Sequence, residues 1–372
     1  MTRVLHLIKV TSIAGAETHL LTLLPGLRAQ GFDARLLVLV EPGKPMHDFL
    51  QLAAERDVPA ESVVIQRDLA PHLVPHLRDR FRASAPRIIH THLQHADLYG
   101  IPAARLARVP AIVSTRHIEN AFRRRLPLKL TNRMLWRMVK AGIAISDSVR
   151  RFAIEVEGAP QHCVHTIYYG LPVDPTRDEQ RPHLRTVIRE TLNIPPDAPV
   201  VGMACRLVEQ KGVAYGLQAF QQIAARFPQA RLVIAGDGPL RKLLENEARP
   251  LGEQVHFLGW RDDVPQLMAA FDVFLMPSLW EGFGLVALEA MAQRVPVIAS
   301  AVSSLPEIIV PGETGLLVSP RDTAALAEAL TLLLSDRALA LHMGLMGEDR
   351  LETHFSASRM VEQTARLYHA LA

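Results

Sequence analysis

Cysteine is almost missing from this chain: Cys163 and Cys205 are the only two in 372 residues, and they belong to no ligand-spaced cluster. A disulfide scaffold and a zinc-finger site are therefore excluded, and a reducing compartment is indicated. No run of about 18 apolar residues is free of charge, so no membrane-spanning helix is expected. The opening segment, residues 1–10, is too short and too interrupted for the apolar core of a signal peptide and reads as a first strand. Aromatic residues make up only 5%, and no basic stripe is interleaved with them, so nucleic acid is not an expected partner. The dinucleotide fingerprint G-x-G-x-x-G is absent, and no Asp-x-Asp pair stands in a loop.

What the chain does have is apolar residues, 49% of the total, enough to bury a core and to exclude disorder. Its length suggests two domains. Charge is unevenly spread: Lys and Arg lead by eight over residues 1–175, whereas Asp and Glu lead by five over residues 176–372. Two domains with different partners would produce such a split. Short β-branched runs alternate with helical patterns, with strands expected at 4–10, 34–40, 62–65, 88–91, 111–114 and 142–145. The pattern restarts with 200–206, 231–235, 255–258, 273–276 and 297–299. Such alternation makes parallel sheets covered by helices on both faces.

Pro172, Pro175, Pro182, Pro195, Pro196 and Pro199 crowd the region between the halves. The expected fold is α/β, with two doubly wound Rossmann-like domains at 1–170 and 200–355, a linker at 171–199 and a last helix at 356–372. That helix lacks a following strand and could pack on either domain. Ligands of such sheets bind where loops leave the carboxyl ends of the strands.

Those loops hold the candidate chemistry. After the first strand, Ala14-Gly15-Ala16-Glu17 opens a helix, where backbone N–H groups suit an anion or simply close a tight turn. The segment Trp280-Glu281-Gly282-Phe283-Gly284-Leu285-Val286 follows the strand at 273–276 and opens a helix that reaches Glu289. Its glycines permit close approach of a ligand, the N–H groups of Phe283 to Val286 point outward, and Glu281 can accept hydrogen bonds from sugar hydroxyls. Glu289 lies about two helical turns on, where it could take a ribose diol. At 1.5 Å per residue the two carboxylates stand roughly 10 Å or more apart, too far for a glycosidase pair. Capping and a solvated face are the plain alternatives. Arg206 and Lys211-Gly212 follow the first strand of the second half and suit a diphosphate, although a surface salt bridge would use the same residues. Asp237 lies in the turn Gly236-Asp237-Gly238-Pro239, and Trp260-Arg261 could hold a nucleobase.

In the first half, His90 and His92 share a strand face, so metal ligation is conceivable, but no H-E-x-x-H or supporting cysteine accompanies them. His117 follows a strand and is expected to face the ligand edge, or else to pack as an ordinary core histidine. The stretch 123–140 has seven basic residues and no acidic one. On a helical wheel Lys129, Arg133, Arg137 and Lys140 cluster with Trp136 at their edge, while Leu130, Met134, Leu135, Met138 and Val139 lie opposite. The expectation is an apolar side packed on the sheet and a basic side, with Arg123, Arg124 and Arg125 nearby, that is either merely solvated or draws anionic lipid or an anionic acceptor.

Taken in order, these residues resemble the retaining glycosyltransferases of family 4, which have the two-domain GT-B fold. The resemblance spans nearly the whole chain. It rests on the E-x7-E spacing of Glu281 and Glu289 with Leu288-Glu289-Ala290, on Arg206 with Lys211-Gly212, and on Gly236-Asp237-Gly238-Pro239. Pro306-Glu307, residues 312–318, His117 and Ile145-Ser146-Asp147-Ser148 add to it. Two departures stand out: Ala14 replaces the first glycine of the family's opening loop, and Tyr169-Gly170 stands where the family has Asn-Gly.

The resemblance implies transfer of a sugar from a UDP- or GDP-sugar to a hydroxyl of a glycan, glycolipid or other acceptor, with retained anomeric configuration, no metal and no cofactor. It implies that Arg206 and Lys211 stabilise the departing diphosphate, helped by backbone at Gly15 and at Gly284, Leu285 and Val286. Glu281 would orient the sugar, Glu289 the ribose, and His117 would contact the donor near the reacting carbon. Domain closure would assemble the site. The expected setting is cell-envelope or polysaccharide synthesis by a cytoplasmic protein docked at the inner face of a membrane. A nucleotide-sugar epimerase of related fold and a non-catalytic nucleotide-sugar-binding protein are the alternatives.

Overall fold

Runs such as Val-Leu-His-Leu-Ile and Leu-Leu-Val-Leu-Val are too continuously apolar for a sheet wetted on one side, and they form fully covered parallel strands. The structure, a computed structural model, describes residues 1–66, 70–119, 121–174 and 176–371. The chain divides into two compact units, Met1–Pro172 with Ser356–Ala372, and Val173–Phe355.

The first unit has seven parallel strands: β1 (Arg3–Lys9), β2 (Asp33–Val40), β3 (Ala60–Val64), β4 (Ile88–His92), β5 (Ala111–Arg116), β6 (Ala141–Ala144) and β7 (Val164–Thr166). Their order across the sheet is β3-β2-β1-β4-β5-β6-β7. Chain order reverses between β1 and β4, and the loops after these two strands diverge there. The helix Gly15–Ala29 buries Leu20, Leu23, Leu24 and Leu27, one apolar stripe at helical spacing. Glu17 caps its start by accepting from the Ala14 N–H at 3.1 Å. The last helix, Ala357–Leu371, belongs to this unit and packs on Gly15–Ala29. Close fit is visible at Gly26, where an added Cβ would lie 2.4 Å from Val361.

The second unit has six parallel strands: β8 (Val200–Ala204), β9 (Arg231–Ala235), β10 (Val255–Gly259), β11 (Val273–Met276), β12 (Val297–Ser300) and β13 (Gly315–Val318). Their order is β10-β9-β8-β11-β12-β13, so the reversal lies between β8 and β11. Its core joins Val201, Met203, Leu232, Ile234 and Leu275 of the strands to Leu217, Phe220, Leu326 and Leu330 of the helices.

Residues 173–199 differ from the expected linker. They fall in the second unit, and most of them form the helix Arg177–Thr191, which carries Pro182 inside it. Asp272 explains the docking: its carboxylate accepts from Arg185 at 2.6 Å, Arg189 at 2.8 Å and the Val200 N–H at 2.8 Å. Pro175 lies outside the described residues, as does Asn120 beyond the His117 loop. The strands β7 and β13 were not expected; both are short edge strands. Three or four residues are too few to show a period.

Candidate active site

In the second unit the candidate residues gather at the switch point. Lys211 and Arg206 lie in the loop after β8, and Glu281 lies in the loop after β11, the two strands that flank the reversal. Lys211 Nζ meets Glu281 Oε1 at 2.6 Å, and the Ser278 hydroxyl donates to the same oxygen at 2.7 Å. The Glu281 N–H donates to Ser303 Oγ at 3.2 Å. Glu281 is buried, Lys211 half-buried, and Arg206 exposed on the same loop. Burial pushes the neighbouring Cys205 thiol up to about 12, which keeps it protonated at neutral pH.

Gly212 explains why Lys211 can reach this carboxylate. Its φ is +61°, and a Cβ there would stand 2.0 Å from the Pro277 carbonyl oxygen, so only glycine lets the two loops touch. Gly284, with φ +97°, similarly turns the chain into the helix Leu285–Ala292. The first-turn N–H groups of Leu285 and Val286 have no acceptor within that helix and suit an anion. Phe283 is buried edge-on to Phe355, so it offers backbone alone to a ligand. Glu289 is half-buried two turns along, and burial pushes its carboxyl up to about 7.

Backbone hydrogen bonds tie the remaining loops to this place. Leu207 N–H donates to the Asp237 carbonyl at 2.9 Å, Gly236 N–H to Gly259 at 2.7 Å, and Leu279 N–H to Gln210 at 2.8 Å. The Asp237 carboxylate serves its own turn, accepting from the Gly238 N–H at 2.7 Å. Trp260 is 74% exposed, a bare ring of the kind on which a base stacks. Arg261 beside it is held by Asp263 at 2.5 Å. Ser278 and Ser303, which orient Glu281, carried no sequence signal because isolated serines are common in loops.

In the first unit, Gly15 opens its helix at an exposed position. His117 is buried, and both ring nitrogens are occupied: Nε2 by His92 Nδ1 at 3.0 Å and Nδ1 by the Tyr169 hydroxyl. The expected side-chain contact with a donor sugar would therefore require one of these bonds to open. The contacts continue inward. His92 Nε2 meets His6 Nδ1 at 3.0 Å, His6 Nε2 meets the Tyr368 hydroxyl at 3.3 Å, and that hydroxyl meets His90 Nδ1 at 2.5 Å. His90 Nε2 then reaches Thr115 Oγ1 at 2.6 Å. His19 stacks on Tyr169 with ring centroids 4.3 Å apart.

Burial lowers the pKa of all five imidazoles, to about 3 for His6 and His19, so they are neutral at pH 7. His6, His90 and His92 present ring nitrogens within 4.8 Å of one another, close enough to share a metal ion. Each of their nitrogens already has a hydrogen-bond partner, so a metal would have to break this chain.

The basic stretch also departs from expectation. Arg123 is buried, donating to Glu157 Oε1 at 2.5 Å. Glu157, itself fully buried, accepts from Arg116 Nε at 2.7 Å and Trp136 Nε1 at 3.1 Å, and Arg116 reaches Asp97 at 2.6 Å. Arg116 and Arg123 hold the Glu157 carboxyl below its ordinary range against the opposing effect of burial. Trp136 is buried under Arg116, 4.5 Å from the guanidinium to the ring centre, and so belongs to the core. In the helix Leu126–Trp136 the inward side is Asn132, Leu135 and Trp136. Phe122, Leu126, Leu130 and Met134 are exposed, the last three by more than half. Gly142 accounts for this rotation: it lacks the Cβ that would fall 2.5 Å from the Trp136 ring, so the ring settles on β6 and turns the helix. Arg124, Arg125, Lys129, Arg133 and Arg137 are exposed as expected.

Two family models match the chain consecutively, Glycosyltransferase Family 4 over residues 13–175 and Glycosyl transferases group 1 over residues 185–350. Alpha-D-kanosaminyltransferase of Streptomyces kanamyceticus is 28% identical over 310 residues, covering 79% of this chain and 80% of that protein. Phosphatidyl-myo-inositol mannosyltransferase of Mycobacterium leprae is 28% identical over 366 residues, covering 96% and 93%. Among solved structures, Anabaena Alr3699/HepE in complex with UDP superposes with a TM-score of 0.85 at 24% identity, covering all of both chains. With two doubly wound units and the glutamate, lysine and glycine loops at one switch point, this chain belongs to the family 4 glycosyltransferases of GT-B fold.

Proposed function

We propose that the enzyme transfers a sugar from a UDP- or GDP-sugar to a hydroxyl of a glycan or lipid-linked acceptor, with retention and without a metal ion. The carrying observation is the 2.6 Å Lys211–Glu281 pair at the β8/β11 switch point. A donor exchanges both partners of that pair: its diphosphate takes the Lys211 ammonium, and its sugar hydroxyls take the Glu281 carboxylate. The bond from the anomeric carbon to the diphosphate breaks, the acceptor oxygen bonds to the same carbon, and the acceptor's hydroxyl proton passes to the departing diphosphate oxygen. Arg206, Lys211 and the N–H groups of Gly284, Leu285 and Val286 hold the charge that develops on the leaving group, which is where electrostatic catalysis acts. Trp260 stacks the base, Glu289 takes the ribose and Asp237 shapes the adjoining turn. The Anabaena structure's bound UDP and the mannosyltransferase name of the M. leprae relative support a nucleotide donor and a lipid-linked acceptor.

Docking at the inner face of a membrane belongs to the same reading. Among the described residues no helix is long and apolar enough to cross a membrane. Leu126, Leu130 and Met134 recur every four residues along the helix Leu126–Trp136 as an exposed apolar stripe, with Phe122 exposed in the turn before it and Arg125, Lys129, Arg133 and Arg137 flanking it. Apolar residues that enter the lipid boundary beside cations that hold anionic headgroups make an interfacial helix.

Glu281→Ala and Lys211→Ala should each abolish transfer while the fold survives, with a lowered melting temperature because each leaves its partner unpaired. UDP or GDP should raise the melting temperature of the wild type and do so less in Lys211→Ala. Normal turnover in either variant would overturn the assignment, whereas UDP release with no acceptor product would favour the epimerase. Vesicles containing phosphatidylglycerol should sediment the wild type, and L130E/M134E should stay in solution. Equal sedimentation of the two would remove the docking claim.

A further inference from the structure

A cavity of about 340 Å³ opens in the second unit at the sheet edge opposite to the donor loops. Pro199, Asp272 and Pro296, the residues immediately before β8, β11 and β12, line it, so it sits where these strands begin. The five residues of β8 alone span about 16 Å at ~3.3 Å each, which separates the cavity from the diphosphate loops. Four arginines line it: Arg181 and Arg185 from the helix Arg177–Thr191, Arg294 from the turn before β12, and Arg337 at the start of the helix Arg337–His354.

Two of these arginines are accounted for by the fold. Arg185 binds Asp272 at 2.6 Å, and Arg294 binds Glu348 and Asp178, each at 2.7 Å. The other two are not. Arg181 makes no hydrogen bond or ion pair among the described residues, and its Nε is shut away from solvent. Burial, followed by repulsion from Arg185 and Arg294, lowers its pKa against the weaker opposing pull of Asp272 and Glu348. Arg337 is exposed at the mouth and makes no ion pair among the described residues. Asp197, also exposed at the mouth, and Asp272 are the two carboxylates among the lining residues, and Asp272 is already held by Arg185 and Arg189. A cation left unpaired in a partly buried, arginine-lined cavity is costly unless an anion joins it. The rest of the wall is apolar, with Phe271, Leu334, Pro196 and Pro296 among its members.

We propose that this cavity binds a small organic phosphate, with its phosphate between Arg181 and Arg337 and its body against the apolar wall. Guanidinium groups are suited to phosphate because their N–H forks match its oxygens. The volume is at the low end for small-molecule sites and matches a sugar phosphate. The inference does not depend on the glycosyl-transfer reading, because none of these residues belongs to the donor loops.

The test is calorimetric titration with glucose 6-phosphate, inorganic phosphate and glucose, in wild type and in a K211A/E281A background that cripples the donor site. Glucose 6-phosphate should bind equally well to both, more tightly than inorganic phosphate, while glucose should not bind. R181M and R337E should each weaken binding by tenfold or more, as expected for loss of one charge-assisted contact. R337E alters an exposed residue and decides the matter even where R181M folds poorly. Loss of binding in K211A/E281A would place the phosphate in the donor loops and overturn the proposal. Unchanged affinity in R337E would overturn it as well.

Discussion

Acidification should unfold the first unit steeply between pH 7.5 and 5.5, and the buried histidines set the size of the effect. His6, His19, His90, His92 and His117 are all buried, at 0–8% exposure, and all have depressed pKa values, about 3 for His6 and His19. In the unfolded chain each would titrate near ~6.5. Because the folded values are the lower ones, the unfolded state binds more protons, and stability falls as pH drops below ~6.5. One histidine that stays neutral in the fold costs roughly 1.4 kcal/mol at pH 5.5 and almost nothing at pH 7.5. Five together cost about 7 kcal/mol, as much as the whole stability of many domains, about 5–15 kcal/mol. Among the hydrogen-bonded rings a proton is not easily admitted, since an imidazolium donates at both nitrogens and would meet a neighbour that already donates to it.

The assay follows from the tryptophans. Trp136 is buried in the first unit, whereas Trp260 and Trp280 lie in the second and are exposed. W260F/W280F therefore leaves a fluorescence reporter of the first unit alone. Its urea midpoint should fall sharply from pH 7.5 to 5.5, and H19F, which removes a ring nitrogen that has no partner, should reduce the pH dependence by one proton. A midpoint that hardly moves across this range would refute the account of the histidine cluster.

Two further outcomes are expected. E157Q leaves Arg116 and Arg123 facing Asp97 alone, and breaking a buried pair in this way costs about 3–5 kcal/mol. The first unit's melting temperature should drop by roughly 6–20 °C, and R123M/E157Q, which rebalances the charge, should recover part of it. Glu289 acts in the opposite sense to the histidines. Its folded pKa of about 7 exceeds the unfolded value, so its contribution is present below ~4.5 and is lost as pH rises towards 7. E289Q should flatten the pH dependence of the second unit's stability over that interval, as read by its own thermal transition.

Much of this molecule can be read directly from its amino acids, for specific reasons. Buried parallel strands are nearly uninterrupted runs of branched apolar residues, so β1, β2, β8 and β9 stand out. The loops of the candidate site combine glycine with a charged residue just past such runs, and the fold brings Lys211 to Glu281 across 70 positions. Contacts made by unremarkable residues over long separations are not legible. Nothing near Tyr368 announces a bond to His90 over 278 positions, or near Glu157 a bond to Arg116 over 41. The helix Leu126–Trp136 shows a different limit. A helical wheel treats its apolar residues as equals, while the missing Cβ of Gly142 lets Trp136 alone choose which side turns inward.

The contacts from Thr115 to Tyr169 have a consequence beyond stability. A neutral imidazole carries one ring proton, so along Thr115, His90, Tyr368, His6, His92, His117 and Tyr169 each ring that accepts on one side donates on the other, while the Tyr368 hydroxyl can either pass the direction on or accept from both sides. Three arrangements satisfy all the links: one running towards Tyr169, one running away from it, and one in which the Tyr368 hydroxyl accepts from both His90 and His6. In the first His117 bears its hydrogen on Nδ1, and in the other two on Nε2. The choice cannot be made locally: reversing any one of His6, His92 and His117 reverses the other two. The helix Ala357–Leu371, through the hydroxyl of Tyr368, thus takes part in setting the tautomer of a histidine more than 250 positions earlier in the chain.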